Sequence, residues 1–275
     1  MPCERQTSRR KQNVTEKDES LKIRLERAGS WIRLAKKIEE AVDKLADTSK
    51  SSPLPKWARQ HELFIFYWIA LNALYGTSRK LRLKEEGAKN TEGKGSDEWD
   101  KEKAKIRRFL NKVVEMAKKD GSLTLKAAVN EECLRAGELV IKDRFLDRDY
   151  WEDRWSVEDV DDKCSRWWKD VLQKEGLERF KVFFDHAFEH LLVLRNQIMH
   201  GSASHGPESE GKNSLLPGLA VMRSLVPAFY RLTKEFGHTE TWGEVPYPRF
   251  SSDLHPRKTI WQTKFRKTTS RTIFR

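Results

Sequence analysis

The sequence predicts an all-α fold: a helical bundle with loop insertions and basic, mostly irregular tails. Three observations carry this. Apolar residues recur at three- and four-residue steps in several long segments. No segment sustains the apolar–polar alternation of a half-buried strand. One stretch, "HELFIFYWIALNALYG" (61–76), is apolar on every side yet too short to span a bilayer, the mark of a helix buried in a core. The chain has 275 residues, a hydrophobic fraction of 37% and a mean hydropathy of −0.77. Its ten Trp, thirteen Phe and five Tyr still supply the large apolar groups that a core needs.

Taken in order, residues 1–18 are polar and basic and read as a disordered N-terminus. A helical domain follows over 19–236. Its first helix is expected from Ser20 to Ala46, where Leu21, Leu25, Ala28, Trp31, Ile32, Ala35, Ile38, Val42 and Leu45 share a face. "DTSKSSPLPK" (47–56) is a linker. The apolar helix at 61–76 has Asn72 as its polar interior residue and Gly76 as its expected cap. Residues 77–103 are charged and glycine-bearing, a flexible insertion. A helix returns over Lys105–Lys119, with Ile106, Phe109, Leu110, Val113, Val114 and Ala117 on one face, and 122–142 hold one or two more. An acidic, Trp-rich insertion spans 143–170, expected as surface loops and short helices pinned by tryptophans. The strongest helix covers 177–200. A polar loop, 202–214, leads to a last core helix over 215–236, which Pro227 is expected to kink. Residues 237–275 form a basic tail.

Charge is concentrated at the ends. Of the net +12, residues 249–275 carry +7 and residues 1–11 carry +3, so the body is close to neutral. Basic tails suit contact with phosphate backbones, and Arg249, Arg257 and Lys258 are the candidate RNA-binding residues there. The competing reading is an ordinary solubilising tail. Phe250, Trp261, Phe265 and Phe274 among these cations can stack on bases or dock the tail on its own domain. The start "MPCERQTSRRKQ" has no apolar core of a secretory signal, and no run of the chain is long and apolar enough for a membrane span. Cys3, Cys133 and Cys164 match no zinc spacing and no even disulfide set, so reduced thiols in a cytosol are expected. There is no Walker loop, GxGxxG, HExxH, nucleophile elbow or paired-carboxylate signature, and neither cofactor nor metal is called for.

The exception to ordinary packing is "LLVLRNQIMHG" (191–201). On a regular helix Phe184 and Phe188 lie about 20° either side of Arg195, and Leu191 and Met199 about 40° either side. Arg195 is therefore mid-stripe on the face that should bury, and a buried guanidinium needs an anion or several acceptors. Asn196 lies on the flank. Gly201 suits a left-handed cap, which sets His200 in the last turn. On a helix regular to its end, His200 stands about 140° from Arg195. The two then converge on one ligand only if the helix distorts or a second chain brings its own copy. Histidine can exchange protons near neutral pH, arginine can hold a phosphate in two-pronged fashion, and an amide can orient either. The bland reading is a helix C-terminus eased by cations.

"RNQIMHG" resembles the Arg-x4-6-His motif of HEPN domains. With "FIFYWIALNALYG" before it and "LPGLAVMRSLVPAFYRL" after it, the chain looks like the bacterial Apea-like HEPN proteins over roughly residues 20–236. The resemblance implies a HEPN-like bundle, often dimeric, and a metal-independent endoribonuclease of phage defence or a toxin–antitoxin system. Other members have lost activity and only bind RNA or nucleotides. It makes Arg195, Asn196 and His200 the site, RNA the partner, and an antitoxin or defence component a further one. A protein-interaction module is the third reading. The bare pattern is loose: Arg179…His186, Arg231…His238 and Arg249…His255 also fit it. Only Arg195…His200 has the polar neighbour, the glycine after it and the apolar helix before it. His186 and His190 are expected as flank packing on the same helix, and His205 lies in the loop beyond.

Overall fold

A computed structural model describes residues 3–48, 56–76, 98–152, 154–200, 212–240 and 242. Among these the secondary structure is helical, with no strand: α1 (Cys3–Thr48), α2 (Lys56–Tyr75), α3 (Glu98–Lys119), α4 (Leu123–Ala128), α5 (Glu131–Ile141), α6 (Arg148–Trp151), α7 (Val157–Gln173), α8 (Gly176–Met199) and α9 (Lys212–Phe236). Short 3-10 turns stand at Arg144–Leu146 and Gly237–Thr239. The all-α expectation holds.

Helix α9 is central. It packs against α1, α2, α3, α4 and α5, and buries Leu219, Met222, Leu225, Val226, Phe229 and Leu232 as expected. It runs on through Pro217 and Pro227, so neither proline ends it. Helix α2 lies between α1 and α9, with Phe64, Tyr67, Leu71 and Leu74 fully buried. Phe184 of α8 meets Phe229 edge-on at 5.2 Å, which joins the motif helix to the centre of the core. Gly218 allows α9 to come close to α8: a methyl group there would stand 2.6 Å from Leu194 Cδ2. Helices α3 and α8 run antiparallel, tied by Lys103–Glu189 at 2.5 Å and Arg107–Asp185 at 3.3 Å. Between α3 and α4 the chain turns through Gly121 and Ser122, both left-handed, and Ser122 N–H donates to Ala117 O at 2.7 Å.

Several expected boundaries move. Helix α1 starts at Cys3 and so crosses the segment 1–18 expected to be disordered; its described side chains begin at Glu19. Residues 3–18 hold no Gly or Pro and many good helix formers, so polarity alone misjudges them. The insertion expected over 77–103 ends early, because α3 begins at Glu98; residues 77–97 lie outside the described residues. Asp100 and Glu102 suit the positive end of a helix, which explains the shift.

The Trp-rich stretch 143–170 has the expected short helices, at Arg144–Leu146 and Arg148–Trp151, but it is more than surface loops. It holds most of α7, and Leu146, Val160, Cys164 and Trp168 are core residues. Ser156 caps α7, accepting from Asp159 N–H at 3.1 Å, and the apolar residues recur every fourth position beneath a charged face. Trp168 is buried, whereas Trp151 and Trp155 are exposed.

Gly76 follows the last residue of α2, where a cap was expected. Its N–H still reaches Asn72 O at 2.7 Å, and the buried Arg24 meets the end of α2 by donating from Nη1 to the carbonyls of Leu74 and Gly76. Asn72, expected inside, is exposed. At the C-terminal side, Trp242 packs near Phe109 and donates from Nε1 to Gly237 O at 2.6 Å, so the first residues of the tail dock on the bundle. No described helix is long and apolar enough to cross a membrane.

Candidate active site at the end of helix α8

Helix α8 buries Phe180, Phe183, Phe184, Phe188, Leu191 and Leu194 and then emerges from the core in its last turns. Arg195 sits at that emergence, its side chain 26% exposed, and Met199 one turn on is exposed. The expected burial of Arg195 is thus partial, and the expected anionic partner is present. Glu102 of α3 places Oε1 3.7 Å from Arg195 Nη2. Arg195 Nη1 donates to Asn196 Oδ1 at 2.8 Å, and the guanidinium lies over the Trp68 ring at 5.4 Å.

Glu102 is itself held from two further sides. Tyr75 Oη–H donates to Oε1 at 2.5 Å and Lys105 Nζ donates to Oε2 at 3.2 Å. Burial pushes the Tyr75 phenol well above its ordinary value, and the neighbouring Glu102 carboxylate pushes in the same direction. The phenol therefore stays a neutral donor. Arg195, Lys105 and Glu102 together carry a net charge of +1, so the group can attract an anion. Arg195 Nε is buried without a hydrogen-bond partner.

His200 follows as the residue that ends α8, with φ −94° and ψ 2°. Its N–H still bonds Asn196 O at 2.9 Å, so the helical path reaches it and the offset of about 140° from Arg195 stands. His200 is exposed. Arg195 and Asn196 are joined, and His200 is presented separately to solvent. Gly201, His205 and the tail residues Arg249, Arg257 and Lys258 lie outside the described residues.

Glu102, Tyr75 and Trp68 escape motif reasoning. Trp68 and Tyr75 are seven positions apart on one face of α2, a spacing legible in principle; Glu102 sits in what composition presents as a loop. The looser Arg…His pairs have other roles: His186 stacks on Trp167 at 4.4 Å and Arg231 pairs with Glu235 at 3.3 Å.

His190, about 140° round α8 from Arg195, packs on that flank as expected, but inside the core. It is fully buried, and Nδ1 bonds Val140 O at 2.8 Å. Its other nitrogen faces Asp147, with Cys164 close by. No family model, curated protein or solved structure matches this chain.

Proposed function

We propose that this protein is a metal-independent endoribonuclease of HEPN type, working in the cytosol as a homodimer within a phage-defence or toxin–antitoxin system. The observation that carries the reading is Arg195: a guanidinium fixed by Trp68, Asn196 and Glu102, yet partly open to the surface, five residues before the exposed His200. Fixed cations of this kind stabilise a phosphate as its charge grows. Because Arg195 and His200 diverge on a regular helix, one chain supplies half a site, and a two-fold axis supplies the rest.

In that cleft one His200 takes the proton of a ribose 2′-OH, and the 2′ oxygen attacks the adjacent phosphorus. The bond from phosphorus to the 5′ oxygen breaks as the second His200 returns a proton to it. Arg195 holds the phosphate and Asn196 orients the guanidinium. The products are a 2′,3′-cyclic phosphate and a 5′-hydroxyl. Arg249, Arg257 and Lys258 add salt-dependent contacts to the RNA backbone.

One observation favours a second reading. Glu102 partly neutralises Arg195, which suits a module that binds RNA, nucleotides or a protein partner without cutting.

The test is cleavage of mixed RNA by the full chain in EDTA, wild type against His200→Ala and Arg195→Lys. The expected loss for His200→Ala is on the order of 100-fold or more, with cyclic phosphate ends from the wild type. Equal cutting by wild type and His200→Ala, or cutting that requires added magnesium or manganese, overturns the proposal. RNA binding with no cleavage moves the assignment to the second reading.

A further inference from the structure

We infer that Asp147, Cys164 and His190 form a buried zinc site that ties together three elements on the side of α8 turned away from Arg195. The ligating atoms of the three lie within 4.8 Å of one another, and all three residues are buried. They come from the residue that caps α6, from α7 and from α8.

His190 is the decisive residue. Its Nδ1 lies 2.8 Å from the Val140 carbonyl, which can only accept, so Nδ1 carries the proton and donates. Nε2 is then the ring nitrogen turned toward the cluster. It is buried without a hydrogen-bond partner and faces Asp147 Oδ2 at 3.7 Å. A ring nitrogen and a carboxylate oxygen thus face the same small buried space, with the Cys164 sulfur beside them. A ring nitrogen held by a backbone carbonyl while the other ligates is the usual support of a metal-binding histidine.

The donor set selects the metal. One thiolate, one imidazole and one carboxylate suit a borderline-soft ion, zinc above calcium or magnesium. Zinc bond lengths place neighbouring tetrahedral ligands roughly 3.3–3.7 Å apart, so the widest pair must close by about 1 Å. A second Asp147 oxygen or a water completes four ligands. On binding, the Cys164 S–H bond breaks, the sulfur keeps the electron pair and donates it to zinc, and the proton leaves to solvent.

The surrounding charge is compatible. Lys163 Nζ bonds Asp147 Oδ2 at 2.8 Å and is the cation now nearest the cluster. It also holds Asp149 Oδ2 at 2.7 Å, which gives it a partner when zinc takes Asp147. Burial, and the negative charges of Asp147, Asp161 and Asp143, push the Cys164 thiol up, so a bound zinc must displace its proton. Trp167, 5.5 Å from the His190 ring, walls the cluster. The spacing is invisible to a sequence motif because each ligand comes from a different element.

The experiment uses the full chain. Zinc content is measured as purified, the metal is removed with a chelator, and cobalt(II) is then titrated in while circular dichroism follows the fold. One equivalent per chain with a thiolate-to-cobalt charge-transfer band is expected for wild type and for Cys133→Ser. Cys164→Ser should lose that band, and His190→Ala should weaken binding at least tenfold. A folded wild type that takes up neither metal overturns the site, as does a Cys164→Ser protein that keeps the full band. If His190→Ala does not fold, the wild-type titration and Cys164→Ser decide alone.

Discussion

Glu102 Oε1 lies 3.7 Å from Arg195 Nη2, across the gap between the first turns of α3 and the last turns of α8. Tyr75 and Lys105 fix that carboxylate from its other sides, so its effect on Arg195 is set by the fold. Glu102→Gln keeps the shape and removes the charge, which raises the local net charge from +1 to +2. In a His200→Ala background, which binds without cutting under the proposed mechanism, RNA affinity should rise several-fold with a steeper salt dependence. Fluorescence anisotropy at several salt concentrations measures it. The stability loss expected in urea is about 1 kcal/mol, since both charges remain partly wet. Unchanged RNA affinity would reduce Glu102 to a structural role.

Arg24 is a cation fully buried in the bundle. It holds the C-terminal carbonyls of α2, at 3.1 Å to Leu74 O and through a second bond to Gly76 O, and lies 5.7 Å from the Trp242 ring. Burial lowers its pKa to about 10, and the nearby Arg27 adds to this. Arg24→Met should cost about 2–4 kcal/mol, because two carbonyls lose a charged donor while the stem volume is kept. Urea midpoints measure it, and a loss under 1 kcal/mol would show that water replaces the guanidinium at no cost.

Cys133 sets an alkaline limit. Burial raises its thiol to about 12, with a smaller contribution from Glu132, against about 9 in the unfolded chain. The folded state therefore holds its proton where the unfolded state has released it. The contribution of Cys133 to stability is intact below pH 9 and is lost at about 1.4 kcal/mol per pH unit between 9 and 12. Cys133→Ala should flatten this slope relative to wild type, whatever it does to stability at pH 7. Urea unfolding at pH 8, 9, 10 and 11 gives both slopes, and parallel slopes would contradict the assignment.

The fold was legible where apolar spacing was strong. Helices α2, α8 and α9 fall within a few residues of their expected limits, because each buries a stripe that the sequence displays openly. Charge concealed the rest. In α7, Val160, Cys164 and Trp168 keep a helical spacing, but Asp, Glu, Lys and Arg fill the positions between them. At the start of α3, Asp100 and Glu102 read as loop although acidic residues favour that end of a helix. The candidate site was half legible. Arg195 announces itself by interrupting an apolar face, whereas Glu102 and Tyr75 meet it only through the packing of α3 and α2 on α8. His190 looked like flank because periodicity locates a face and says nothing of which polar atoms oppose it.

Helix α8 carries two polar commitments at different heights and on different sides: the buried His190 to Val140 O, and the half-buried Arg195 to Glu102. Apolar side chains alone tolerate sliding, since one leucine can fill another's hollow. Hydrogen bonds and charges do not. Turning α8 by one residue, about 100°, would detach both partners at once and leave two polar groups stranded. The two residues act as index pins that admit a single rotation and height for the helix, and so set where its last turn delivers His200.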